Sequence, residues 1–215
     1  LEKASDFDTA VDKLIQKTLK DYRKVIFNGN GYSDEWVVEA EKRGLPNVKT
    51  MVDATASLVD PKTVEMFERQ NVFSKVELES RAEINYEAYA KAINIEAKTM
   101  LEMASKQYIP SIIKYTTKLA ESINSIKAAC PSADVSVQTD LLTRCSSLLA
   151  KAQTALFKLK EVDAVAATKK EGLEQAEYFK DVVFTAMADL RSPIDELEMI
   201  VDKENWPVPT YADML

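Results

Sequence analysis

A chain of 215 residues with 46% hydrophobic content is long enough to bury a core, either as one large domain or as two small ones. Its formal net charge of −7 and isoelectric point near 4.9 argue against a nucleic acid or an anionic membrane as partner, because both select a concentrated basic face. It contains no histidine, which excludes Ser-His-Asp triads, Cys-His dyads, His-bearing zinc sites and Glu-x-x-His di-iron sites together.

Only 4 glycines and 7 prolines punctuate the chain, too few for a β-rich fold, so the expectation is all-α. No apolar run approaches the roughly 20 residues of a membrane span, and the first residues do not read as a signal peptide. A cytoplasmic setting is therefore expected. The first residue is Leu1 rather than Met, which suggests a missing N-terminal part. Cys130 and Cys145 read as small buried apolar side chains, with a bridge as the alternative.

In chain order, residues 5–27 carry Phe7, Val11, Leu14, Ile15, Leu19 and Tyr22 at helical spacing behind Ser5 or Asp6 as N-cap, which predicts a helix with one buried face. "NGNG" at 28–31 should stop it. It is not a phosphate loop, since no strand precedes it and no Lys-Ser/Thr follows. Ser33 caps a short helix, "DEWVVEAEKR", anchored by Trp36 and Val37 and ended by Gly44. Further short helices are predicted over "MVDATASLV" and from Asp60-Pro61.

At Ser74 the pattern changes. Ser74 and Glu77 form a capping box, and no breaker intervenes before Pro110, so a helix of some 55 residues, about 80 Å, is predicted to run to residue 128 with a kink at that proline. Its apolar stripe passes through Ile84, Tyr89, Ile93, Met100, Met103, Tyr108, Ile112, Leu119, Ile123 and Ile126. "CPSADVSVQTD" reads as a linker. From Leu141 a heptad follows through Cys145, Leu148, Ala152, Ala155, Leu159, Val162 and Ala166, and a second run passes through Leu173, Ala176, Val183, Met187, Leu190, Ile194, Leu197 and Val201. Lys180 takes one place in that run, and Gly172 marks a break between the two. The expected architecture is a long antiparallel bundle of three long helices, with several short N-terminal helices and an extended C-terminal tail rich in Pro and aromatics.

Candidate chemistry is sparse. Glu77, Glu79, Glu83, Glu87, Glu96 and Glu102 on the long helix alternate with Lys75, Arg81, Lys91 and Lys98, the spacing of a solvated ion-paired face. Asn94, with Arg81, Asn85 and Tyr86, suggests a polar seam that fixes register or meets a partner. The tail offers candidate docking residues: Trp206, Pro207, Pro209 and Tyr211. Prolines limit the entropy lost on docking, and the aromatics offer large apolar area, either to the protein's own bundle or to a neighbour.

Three stretches taken together, "VIFNGNGYSDEWVVEAEKRGLPNVKTMVDA", "SRAEINYEAYAKAINIEAKTMLEMASKQYIPSIIKY" and "WPVPTYADML", resemble the C-terminal part of glutamine synthetase type III. The resemblance implies an ATP-dependent parent enzyme that joins ammonia to the γ-carboxylate of glutamate through a γ-glutamyl phosphate, with Mg or Mn as cofactor. It also implies that those sites belong to catalytic domains upstream, so no residue here inherits a catalytic, cofactor-binding or metal-binding role. Residues 1–73 would be the end of the catalytic domain and a connection, and 74–215 a long-helix bundle with a docking tail. The implied partners are the upstream catalytic domain and neighbouring subunits of a homo-oligomer, a double-ring dodecamer in that family. The expected role is structural, in assembly or in shielding the active site. The alternatives are an autonomous helical-bundle adaptor and, third, an enzyme in its own right.

Overall fold

The computed structural model describes residues 6–209, and every regular element among them is helical. A packing break falls between Thr50 and Met51, ahead of the change in sequence pattern at Ser74.

In the first unit, helix α1 (Phe7–Asp21) starts at Asp6, whose carboxylate accepts the Thr9 N–H at 3.3 Å. It ends before the Asn-Gly pairs rather than at them: a 3-10 turn, Arg23–Val25, follows Tyr22. The Asn-Gly segment has a different task. The Asn30 side chain accepts the Tyr32 N–H at 3.0 Å, and Gly29 leaves room for the Phe27 ring, which a Cβ at that position would overlap. Phe27 stacks on Trp36 with ring centres 4.0 Å apart. Trp36 sits in α2 (Asp34–Lys42), which Ser33 caps and Gly44, at φ +69°, ends. Arg43 closes the cluster, with its guanidinium over Trp36, Nε donating to Glu39 at 2.7 Å and Nη1 donating to the Ile26 carbonyl at 3.0 Å.

This small cluster is not a core. Ala40 is the one buried residue among the described residues of the unit. The face of α1 expected to be buried is open instead, with Phe7, Leu14, Ile15, Leu19 and Tyr22 between 47% and 60% exposed.

The second unit begins with α3 (Met51–Ala56), a 3-10 turn and α4 (Pro61–Arg69), where Pro61 occupies the first turn and Asp60 caps the Lys62 N–H at 2.9 Å. Asn71, at φ +52°, supplies the left-handed residue after α4. The first arm follows as a continuous helical run of 55 residues: α5 (Lys75–Met103), a π turn (Ala104–Tyr108) and α6 (Ile109–Ala129). Its capping box is formed, with the Ser74 N–H donating to Glu77 at 2.8 Å and the Ser74 hydroxyl accepting the Glu77 N–H at 3.4 Å. The irregularity expected at Pro110 is this π turn, in which the Ile109 N–H reaches back to the Ala104 carbonyl. The widened turn takes up the clash between a proline ring and the preceding turn, and the helix continues through it.

The second arm is α7 (Ser136–Ala166). It begins ahead of Leu141, inside the stretch expected to be linker, with Val135 at its N-cap position and the Asp134 carboxylate accepting the Ser136 N–H at 2.9 Å in the turn before it. Gly172, at φ +94°, separates it from the third arm, made of α8 (Leu173–Tyr178), a π turn (Phe179–Val183) and α9 (Phe184–Glu198). The core runs between the arms through Ile112, Cys145, Leu148, Leu159, Leu190 and Leu197.

Two apolar stripes differ from expectation. Toward its N-terminus α5 buries Leu78, Ala82, Tyr86, Ala90, Ile93 and Ala97, whereas Ile84 is 59% exposed. Alanine lets neighbouring helices approach closely, so the buried line is the small-residue one. In α7, Leu156 rather than Ala155 is buried. Cys145 is buried as expected, but Cys130 is exposed, and both thiols are free.

Candidate docking site

The segment after α9 is positioned by its own backbone. The Ile200 and Val201 amides both donate to the Leu197 carbonyl, at 3.0 and 2.9 Å, and turn the chain off the helix. Asp202 then organises the next turn: its carboxylate accepts the Asn205 N–H at 2.8 Å and the Asn205 Nδ2 at 2.6 Å, while its carbonyl accepts the Trp206 N–H at 3.0 Å. Trp206 is thereby delivered to the bundle, where it is 8% exposed and its ring lies 5.1 Å from that of Tyr108.

Of the docking residues expected from sequence, Trp206 is buried in its own chain, Pro207 is exposed, and Pro209 is exposed at the wall of a groove. Tyr211 lies outside the described residues. Half-buried Val208 packs against the same core as Trp206. Among the described residues nothing accepts the Trp206 indole N–H.

The groove has a volume of about 420 Å³ and runs between the first arm and α9, walled by Met100, Met103, Tyr108, Leu190, Ile194 and Pro209. Its rim is charged: Arg191 donates Nε to Asp195 at 3.0 Å, and Glu198 stands beside them. Burial raises the Tyr108 phenol above its ordinary pKa, and the nearby Glu198 and Asp195 charges add to the shift. Tyr108 is therefore neutral at physiological pH.

Elsewhere several of the polar residues singled out from sequence are engaged structurally. Glu77 serves the capping box, which holds its carboxyl below the usual range. Glu79 pairs with Lys75, Glu87 with Lys91, and Glu102 with Lys106. Arg81 and Tyr86 diverge instead of sharing a seam: the Arg81 guanidinium lies 4.4 Å from the Phe73 ring centre, and Tyr86 is buried with Val52, Ala82 and Ala176. Asn85 and Asn94 are half-buried. Among the described residues no group of three or more Cys, Asp or Glu side chains is placed to hold a metal ion.

Two polar features were missed as sites by the sequence reading. Lys180, noted only as a break in the apolar run, donates to Asp53 at 2.7 Å and ties α3 to the third arm, while Phe179 fills the core beside it. Asp163 is the second. Its Oδ1 is buried with no hydrogen-bond donor among the described residues, and burial pushes its carboxyl above the ordinary value, opposed by Lys98.

Among families, the model described as glutamine synthetase C-terminal domain matches residues 10–127. The chain is 36% identical over 205 residues to a glutamine synthetase of Butyrivibrio fibrisolvens, covering 95% of this chain and 29% of that protein. It is 33% identical over 223 residues to the type-3 glutamine synthetase of Dictyostelium discoideum, covering 99% of this chain and 30% of that one. A glutamine synthetase of Bacteroides fragilis (strain YCH46) is 26% identical over 219 residues, covering 100% of this chain and 30% of that protein. The chain thus spans about 30% of the length of these relatives. No helix among the described residues is long and apolar enough to cross a membrane.

Proposed function

The chain belongs to the glutamine synthetase C-terminal domain family, and from that membership we propose that it is a non-catalytic helical region of a longer glutamate–ammonia ligase. The parent reaction in this reading joins glutamate and ammonia at the expense of ATP, giving glutamine, ADP and phosphate. ATP and Mg or Mn are held by residues upstream of the region matched here, and this fragment alone is inactive. Its role is to support assembly with neighbouring subunits, as in the dodecamer, or to shield the active-site mouth.

One observation carries the reading. The first unit leaves Phe7, Leu14, Ile15, Leu19 and Tyr22 of α1 about half exposed and buries only Ala40 among its described residues. So small a unit needs a further surface to cover its apolar face. The relatives, more than three times as long, have ample additional chain to provide one. The acidic face of α5 supports the non-catalytic half of the reading, because Glu79, Glu87 and Glu102 pair with lysines one turn away and Glu77 serves the helix cap.

The test is removal of residues 51–215 from the full-length enzyme, a cut at the packing break. Light scattering should show a changed oligomer or a lower melting temperature, whereas γ-glutamyl transfer by whatever remains folded should persist. An unchanged oligomer of unchanged stability would overturn the proposal, as would ligase turnover by the 215-residue chain alone.

A further inference from the structure

We propose that the groove between the first arm and α9 is an intramolecular receptor for the segment Thr210–Leu215 of the same chain. The segment leading up to it already reaches the groove: the Trp206 ring packs against that of Tyr108, Val208 packs on the core, and Pro209 forms part of the groove wall.

Length and chemistry fit. From Tyr108 to Met100 the groove follows just over two helical turns, about 12 Å. Six extended residues reach roughly 20 Å, enough to traverse it. The segment reads Thr-Tyr-Ala-Asp-Met-Leu, in which Tyr211, Met214 and Leu215 provide apolar area. Met100, Met103, Leu190 and Ile194 face it, and methionine side chains adapt to irregular partners. Pro207 and Pro209 fix φ on the approach and lower the entropy lost in docking. Seated there, the segment joins the third arm to the first across the π turn at 104–108. The groove is then filled by its own chain and is unavailable to a small ligand.

Methionine oxidation reads the occupancy directly. The 215-residue chain, a variant ending at Pro209 and the Tyr211→Ala variant are exposed to dilute hydrogen peroxide, and sulfoxide is followed by mass spectrometry. Met51 and Met66, 44% and 43% exposed, serve as internal references. Truncation should speed oxidation of Met100 and Met103 several-fold relative to those references at unchanged helical circular dichroism, and Tyr211→Ala should give a smaller rise in the same two residues. Equal relative rates in all three proteins would overturn the proposal. Protection in the intact chain that disappears on dilution would assign the groove to the tail of a second copy, and so would also overturn it.

Discussion

Trp206 has few neighbours in sequence that could hold it, yet it is nearly as buried as the leucines of the arms. Removing the indole leaves a cavity against Tyr108, so Trp206→Ala should cost about 3 kcal/mol, visible as a lower urea midpoint at constant slope. An unchanged midpoint would mean that the segment after α9 adds nothing to stability. Asp163 makes the opposite case. Its folded-state pKa is raised above 3.8, so its contribution to stability is complete below the unfolded value and is lost as pH rises through the folded one. Asp163→Asn should remove that loss, flattening stability against pH from about 4 upward and raising the urea midpoint at pH 7. Urea titrations of both proteins across that range provide the check. Trp206 was visible in the sequence because an aromatic directly ahead of two prolines is a compositional outlier. Tyr108 as its partner and Asp163 as a carboxylate with a buried, unpartnered oxygen were not, since each depends on surroundings brought in from other arms.

Local rules hold best where elements begin and end. Ser33 and Ser74 act as the N-caps their sequences predict, and α4 starts at Pro61 behind Asp60 as expected, because a cap is built within four residues. Ser74→Ala should cost about 1 kcal/mol and speed hydrogen exchange in the first turn of α5 while leaving the centre of the arm unchanged. Uniformly faster exchange along the arm would show that the cap does more than hold one end. The buried face of α5 was less legible. A hydrophobicity pattern gives weight to Ile84 and little to Ala82, Ala90 and Ala97, but close helix packing selects the small residues. Lys180 shows how a break in a heptad is resolved: the π turn at 179–183 keeps Phe179 and Val183 in the core while Lys180 reaches Asp53.

For the molecule as a whole, the three arms and their all-helical class follow from composition and period, whereas the packing break between Thr50 and Met51 does not. It depends on α3 sharing a buried cluster with Ala82, Tyr86 and Ala176, contacts between residues far apart in the chain. The two units also predict different responses to charge on an apolar face. Leu14→Glu with Leu19→Glu should leave the melting temperature of the 215-residue chain within about a degree, since both residues are already close to half exposed. The same pair in the full-length enzyme should reduce the yield of folded protein or lower its melting temperature by several degrees. Equal tolerance in both would remove the need for a covering surface.

The contact of Trp206 with Tyr108, two rings tilted by 40° to one another, also sets an order of events during synthesis. Tyr108 leaves the ribosome on the order of ten seconds before its ring partner does, at ordinary translation speed. Throughout that interval the Tyr108 ring lacks the indole that later packs against it, so this contact joins the arms only after the third of them has been made.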